Sequence, residues 1–231
     1  MNLPHPLIPG KLIRRYQRFL ADVTLSTGET VTVHCPNSGS MMGLLQQGAD
    51  VLLSASTNPK RRCRYTWELV RAGNIWVGIN TLNPNRLVYE ALAQGRVKEL
   101  AGYARVRKEV RWGDHTRFDL LLEDGEKKCY VEVKNVTLAE NQVALFPDAV
   151  TKRGARHLEE LMQVVRDGHR GVMFFLVHRE DCRTFRPAAE IDPVYAETLK
   201  AAATAGVEIL VYRARIVPPT VTLERRLAFC L

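Results

Sequence analysis

Two runs of alternating residues, Thr116 to Glu123 and Lys127 to Val136, are joined by the turn Glu123-Asp124-Gly125-Glu126. A connection this short sets two strands side by side, so the pair constrains whatever is built around it. Side chains alternate between the faces of a strand, which puts Glu132 and Lys134 on one face and Val131 and Val133 in the core. Asp119 then stands near Glu132 on the neighbouring strand. Two carboxylates are enough for Mg²⁺, which keeps waters and phosphate oxygens in its remaining positions. Such an ion polarises a phosphoryl oxygen and activates water, while Lys134 orients that water or stabilises developing negative charge. Asp119, Glu132 and Lys134 are therefore the candidate catalytic residues, with Asp119 and Glu132 as ligands of Mg²⁺ or Mn²⁺. The same pattern also describes a solvated face with an ordinary cross-strand pair, and spacing alone does not separate the two.

The chain's 231 residues, 46% hydrophobic, can bury one large core or two small ones, and two are expected, over 1–82 and 83–231. The longest strongly apolar run, Gly171 to Val177, is too short to cross a bilayer, and Met1-Asn2-Leu3-Pro4-His5-Pro6 has no signal-peptide core. A soluble, cytoplasmic protein without membrane contacts is expected. The five cysteines include no Cys-x-x-Cys pair, which argues against a disulfide framework or a zinc ribbon and fits a reducing compartment. The net charge of +8 is uneven: residues 1–102 carry 12 Lys and Arg against 6 Asp and Glu, and the remainder 21 against 19. Excess positive charge favours polyanions through counterion release, so the first part is the expected docking surface for nucleic acid.

Residues 1–80 read as a small β-rich unit. Phe19, Ala21, Val23 and Leu25 alternate with mostly polar residues, Ser26-Thr27-Gly28-Glu29 turns the chain, and Val31, Val33 and Cys35 return. Further strands are expected near Asp50 to Ser56, Arg64 to Arg71 and Asn74 to Ile79. Five short strands of this kind suggest a barrel of oligonucleotide-binding (OB) type. Arg14, Arg15 and Arg18 before the first expected strand, and Lys60, Arg61, Arg62 and Arg64 before the fourth, are candidate phosphate contacts. Tyr16, Tyr65 and Trp67 lie close by as base-stacking residues or, alternatively, as core. The turn-rich stretch around Asn37 and Ser38 can present backbone amides to a phosphate, or it can be an ordinary tight turn.

Beyond Asn80-Thr81-Leu82-Asn83-Pro84-Asn85 the expected order is helix, three strands, helix, strand, helix, strand: an α/β unit with a mixed sheet, α+β for the whole chain. Glu90, in the first helix, can supply a third metal ligand or be a solvated helix residue. Asp148 is a plausible N-cap for the long helix ending near Arg166. In its first turns Arg153 and His157 share a face, where they can hold a nucleic-acid backbone or form a polar surface. No Walker loop and no helix-turn-helix pattern is evident.

Six segments in order resemble the sugar fermentation stimulation protein A (SfsA) family. They are Arg15 to Val23, His34 to Met41, Asn80-Thr81 with Pro84-Asn85, Arg117-Phe118-Asp119, Glu132 to Leu138, and Phe146 to Leu158. The resemblance implies an N-terminal OB-type barrel followed by a restriction-endonuclease-like domain of the PD-(D/E)xK class, whose signature matches Asp119, Glu132 and Lys134. Phe118 stands where that signature has proline. The resemblance further implies sequence-independent DNA binding, with double-stranded DNA as the expected partner, and a regulatory role in maltose and other sugar metabolism. Two readings stay open: a protein that acts through DNA binding, and a Mg²⁺-dependent nuclease acting on DNA or RNA.

Overall fold

A computed structural model describes residues 1–113 and 116–231. The first part contains β1 (Leu7–Tyr16), β2 (Leu20–Leu25), β3 (Thr30–His34), β4 (Asp50–Ala55), β5 (Tyr65–Ala72) and β6 (Ile75–Gly78). These run in the order β3-β2-β1-β4-β5-β6, and β3 meets β5 through His34 and Thr66, which closes β1 to β5 into a barrel. The expected strand count is right, but its membership differs. The segment Asn74 to Ile79 supplies β6, an extra strand on β5, and the true first strand is Leu7–Tyr16. Arg14 and Arg15 therefore lie on the barrel wall rather than ahead of it. Alternation in β1 is obscured at sequence level by Pro9 and Gly10 and by a register irregularity between Leu12 and Arg14. The barrel core is made by inward residues such as Leu12, Val23, Val33, Leu53 and Trp67. Trp67 is fully buried and its Nε1 donates to the Leu69 carbonyl at 2.9 Å, so this indole belongs to the core and not to a stacking surface.

The second part follows as α1 (Asn83–Ala93), β7 (Arg105–Trp112), β8 (Thr116–Asp124), β9 (Lys127–Val136), β10 (Leu138–Glu140), β11 (Val143–Phe146) and α2 (Lys152–Arg166). It continues with β12 (Arg170–Val177), β13 (Thr184–Pro187), α3 (Pro193–Thr204), β14 (Glu208–Val217), β15 (Thr220–Arg226) and β16 (Ala228–Phe229). The main sheet runs β15-β14-β12-β9-β8-β7, with β12 parallel to both β9 and β14 and the remaining pairs antiparallel. Strand β12 is buried on both faces, as its unbroken apolar run suggests. Val172, Phe174 and Leu176 pack toward α1, and Met173, Phe175 and Val177 toward α2 and α3. The β8–β9 hairpin forms as expected, with Gly125 at φ +58° in its turn, a conformation that favours glycine. A second small sheet, β10-β11-β13-β16, was not anticipated; its strands have two to four residues each, too few to show a period. Met1 to Leu3 pack against this second part, where Leu3 joins the α1-side core and Asn2 bridges Thr220.

Barrel and sheet meet at Gly78 and His178. The Gly78 amide donates to the His178 carbonyl at 2.9 Å, and the Asn135 side chain donates to the Gly78 carbonyl at 3.3 Å. The His178 ring is wholly buried, and desolvation lowers its pKa to about 4. As pH falls, the unfolded chain binds this proton first. The stability that depends on a neutral His178 is therefore complete above about pH 6.5 and is lost as pH falls to about 4. At about 1.4 kcal/mol per pKa unit the loss approaches ~3 kcal/mol. The stability difference between the wild-type protein and His178→Gln, measured by urea unfolding at pH 7 and pH 4, should move by about that much in the variant's favour. A difference independent of pH would contradict a buried, neutral imidazole.

Candidate metal and nucleic-acid site

The β8–β9 ladder ends at Leu120 opposite Val131, and Asp119 lies just beyond it. There its Oδ2 accepts the Val133 amide at 2.8 Å and its Oδ1 accepts the Asn85 side chain of α1 at 2.6 Å. A carboxylate takes up the amide that the strand leaves free, and Asp119 is thereby fixed beside Glu132. In β9, Glu132 lies beside Met173 of β12, and Lys134 beside Phe175. A one-residue slip would turn both side chains to the opposite face, so the parallel pairing sets the site. Glu132 and Lys134 share a face as expected, but α2 covers it. Glu132 is only 3% exposed.

Glu132 Oε1 accepts Lys134 Nζ at 2.6 Å and also bonds Nδ1 of His157 from α2. Arg153 Nε donates to His157 Nε2 at 3.3 Å, which places the imidazole proton on Nδ1, facing Glu132. The other oxygen, Glu132 Oε2, is buried and has no hydrogen-bond partner among the described residues. Burial pushes Glu132 upward, but the His157 hydrogen bond and the Lys134 charge more than offset it and hold the carboxyl below its usual range. Asp119 goes the other way. Burial, reinforced by the charge of Glu132, raises it to about 7, against the smaller opposing effects of the Val133 amide, Lys134 and Asn85. One unsatisfied carboxylate oxygen next to a carboxylate that resists ionisation is the donor set a hard divalent cation neutralises. The residues present fit such an ion. Among the described residues no group of three or more His, Cys, Asp or Glu side chains is arranged to hold a metal, here or elsewhere, so the chain offers the ion two carboxylates and leaves its other positions to water and phosphate.

Of the two readings of Glu90, a third ligand or a helix residue outside the site, the structure fits the second. Glu90 pairs with the Met1 amino group at 3.2 Å and with Arg86 at 3.0 Å. At about 100° per residue it lies roughly 140° around α1 from Asn85, the residue that does reach the site. Asn85 was missed as a functional residue; only the Pro84-Asn85 match in the family resemblance touched it.

Asp119, Glu132, Lys134, Arg153 and His157 line a cleft of about 610 Å³ whose opposite wall carries Arg18, Ser38, Gly39 and Leu82. That wall is braced by Arg15, whose guanidinium donates to the carbonyls of Asn37, Gly39, Ser40 and Arg18 at 2.7 to 3.2 Å. Its donors are spent on the loop, so Arg15 is a structural residue and not a phosphate contact. Nor is the loop an amide nest. The Gly39, Met41 and Met42 amides are taken by Asn37 Oδ1, Asp148 Oδ2 and Ser40 Oγ, and Asn37 itself is buried with its Nδ2 on the Ile79 carbonyl. Asp148 does not cap α2. Thr151 does, accepting from the Gly154 amide at 3.1 Å, while Asp148 ties the second part to the barrel loop.

The remaining basic residues divide. Arg14 pairs with Asp22, and Arg61 is bound to Thr66 and His34. Lys60, Arg62 and Arg64 are exposed, with Arg64 over the Tyr65 ring. His157 is 4% exposed and acts on Glu132 rather than on a nucleic-acid backbone. The second part adds a basic edge not weighed from sequence: β7 exposes Arg105, Arg107, Lys108 and Arg111. Among the described residues no helix is long and apolar enough to cross a membrane.

Fold and site together define a two-part protein in which an OB-type barrel faces a restriction-endonuclease-like domain across a cleft that holds both acidic and basic side chains. The family model described as the SfsA N-terminal OB domain matches residues 13–79, and that of the sugar fermentation stimulation protein RE domain matches residues 82–220. A sugar fermentation stimulation protein homolog of Geobacter sulfurreducens is 61% identical, over 98% of this chain and 97% of its own. One from Pelobacter propionicus is 57% identical over the full length of both. The solved structure of Pyrococcus furiosus SfsA in complex with Ca²⁺ is 26% identical, covers 100% of both chains and superposes with a TM-score of 0.91. The chain belongs to the sugar fermentation stimulation protein family.

Proposed function

We propose that the protein is a divalent-metal-dependent nuclease that binds DNA largely independently of sequence. The observation that carries this reading is the orphaned, buried Oε2 of Glu132, a residue that lines the cleft together with Asp119. A binding module gains nothing from burying two carboxylates where a phosphate backbone is to lie, because they repel it. Ca²⁺ in the Pyrococcus furiosus relative supports a divalent site, and Mg²⁺ or Mn²⁺ are the ions proposed for Asp119 and Glu132 here. When bound, such an ion supplies Lewis-acid polarisation of a phosphodiester and a nucleophile at neutral pH.

The chain's own residues do the rest. Lys134 lines the cleft with its Nζ anchored on Glu132 Oε1 and 3.2 Å from His157 Nδ1, and its positive charge stabilises charge developing on the phosphate. His157 fixes the rotamer of Glu132 through Oε1 and leaves Oε2 without a partner. Arg153 and Arg18, on facing walls, hold the flanking phosphates. The barrel's exposed Lys60, Arg62 and Arg64 extend that contact without reading bases. A regulatory role in sugar metabolism would act through this DNA binding.

Isothermal titration of the metal-free protein with Mn²⁺ tests the reading. One saturable site is expected, with affinity reduced at least about tenfold in Glu132→Gln, the loss typical of disturbed metal sites. An unchanged isotherm in the variant would move the metal elsewhere.

A further inference from the structure

The β1–β2 turn joins two concave sites. Arg18 lines the cleft, while Tyr16, Gln17 and Leu20 line a second depression of about 260 Å³ on the barrel face together with Thr32 and Arg62. Gln17 and Arg18 adopt left-handed backbone conformations, φ +47° and +59°, so the turn is sharply bent between the two sites. Phe19 stands at its crest, 48% exposed. Around the cleft the pattern continues: Leu82, at the start of α1, and Val150, just ahead of α2, are 72% and 68% exposed, and both line it. Large apolar side chains held in water around a basic and acidic cleft call for a partner with exposed apolar faces as well as phosphates.

From this arrangement we infer that the DNA presented to Asp119 and Glu132 is unpaired, a single strand running from the barrel depression over Phe19 into the cleft. Unstacked bases supply apolar faces for Phe19, Leu82 and Val150, whereas an intact duplex hides them in its stack. Arg62 and Arg18, one in each depression, take phosphates along the strand, and Tyr16, with Arg14 over one face of its ring, lines the first. The enclosure points the same way. Glu132 and Lys134 have side-chain exposures of 4% and 14%, and a cleft of about 610 Å³ is the size that buries one small organic group. A flexible single strand bends into such a cleft, whereas a stiff duplex follows only at a deformation cost.

This inference rests on the proposed cleavage site, but its test is made without cleavage. Fluorescence anisotropy in EDTA compares the full-length protein on labelled oligo-dT about 20 nucleotides long and on a blunt duplex of equal length. Oligo-dT should bind at least about tenfold more tightly. Phe19→Ala and Leu82→Ala, both at exposed positions where folding is not at stake, should each weaken oligo-dT binding about tenfold and leave duplex binding unchanged. Duplex binding equal to or tighter than that of oligo-dT, or variants that weaken both substrates alike or neither, would overturn it. A protein that cuts DNA but shows no preference for oligo-dT overturns this inference alone. Selective oligo-dT binding without any cutting supports the strand track and counts against the nuclease.

Discussion

Glu132→Gln is expected to lower metal-dependent cleavage by at least about a thousandfold while the protein stays folded. The glutamine keeps an oxygen that accepts from Lys134 and His157, so the contacts holding β9 to α2 survive. What it removes is the charge and the free second oxygen. Losing a single preorganised group at a reacting phosphate costs about 10²–10³-fold in rate, and removing a metal ligand also lowers occupancy of the site. Lys134→Ala should fall in the same range, and the double variant should be little worse than either single one, since residues acting as one unit are not additive. Single-turnover rates at one fixed metal concentration near the wild-type dissociation constant, with thermal melts as the folding control, read this directly. A Glu132→Gln protein that still cuts within tenfold of wild type would remove Glu132 from the chemistry.

Gly78→Ala should be the most damaging small substitution outside the cleft. A Cβ at this position would fall within the imidazole of His178, which is wholly buried and held by its own amide on the Val136 carbonyl. The ring has nowhere to swing, so the barrel must move away from the sheet. Overpacking of this kind costs about 1–3 kcal/mol, and the upper end is expected because two backbone-mediated contacts are strained with it. For a chain of this size that lowers Tm by about 6–12 °C. Cleavage should fall as well, because the cleft takes one wall from each part. His178→Ala should recover part of the loss in the Gly78→Ala background, giving a coupling energy of about 1 kcal/mol or more by urea unfolding. Strictly additive losses would show that the two positions do not meet.

The sequence carried the site's acidic pair and lysine because a four-residue turn leaves a hairpin little choice of register, and period-2 alternation then fixes faces. It carried β12 for a related reason, an apolar run too short for a membrane and too continuous for a half-exposed strand. It did not carry β1, where Pro9 and Gly10 interrupt the pattern, or the four short strands beside α2 and α3. Long-range partnerships were the least visible. Arg15 and Arg18 look alike as letters, yet one is consumed by four loop carbonyls and the other lines the cleft. His157 reads as a surface residue of a polar helix turn until α2 is laid on the sheet, where it becomes the partner of Glu132. Glu90 and Asn85 differ only in their angle around α1, and that angle has meaning only once β8 is placed.

The most direct test is cleavage by the purified full-length protein of single-stranded, duplex and branched DNA and of RNA, in Mg²⁺ or Mn²⁺ against EDTA, with Glu132→Gln in parallel. Metal-dependent cutting of at least one of these substrates, strongest where unpaired DNA is present and absent from the variant, is the predicted result. No cutting of any substrate with either metal, or equal cutting by the variant, would contradict the assignment of Asp119, Glu132 and Lys134 as a nuclease centre.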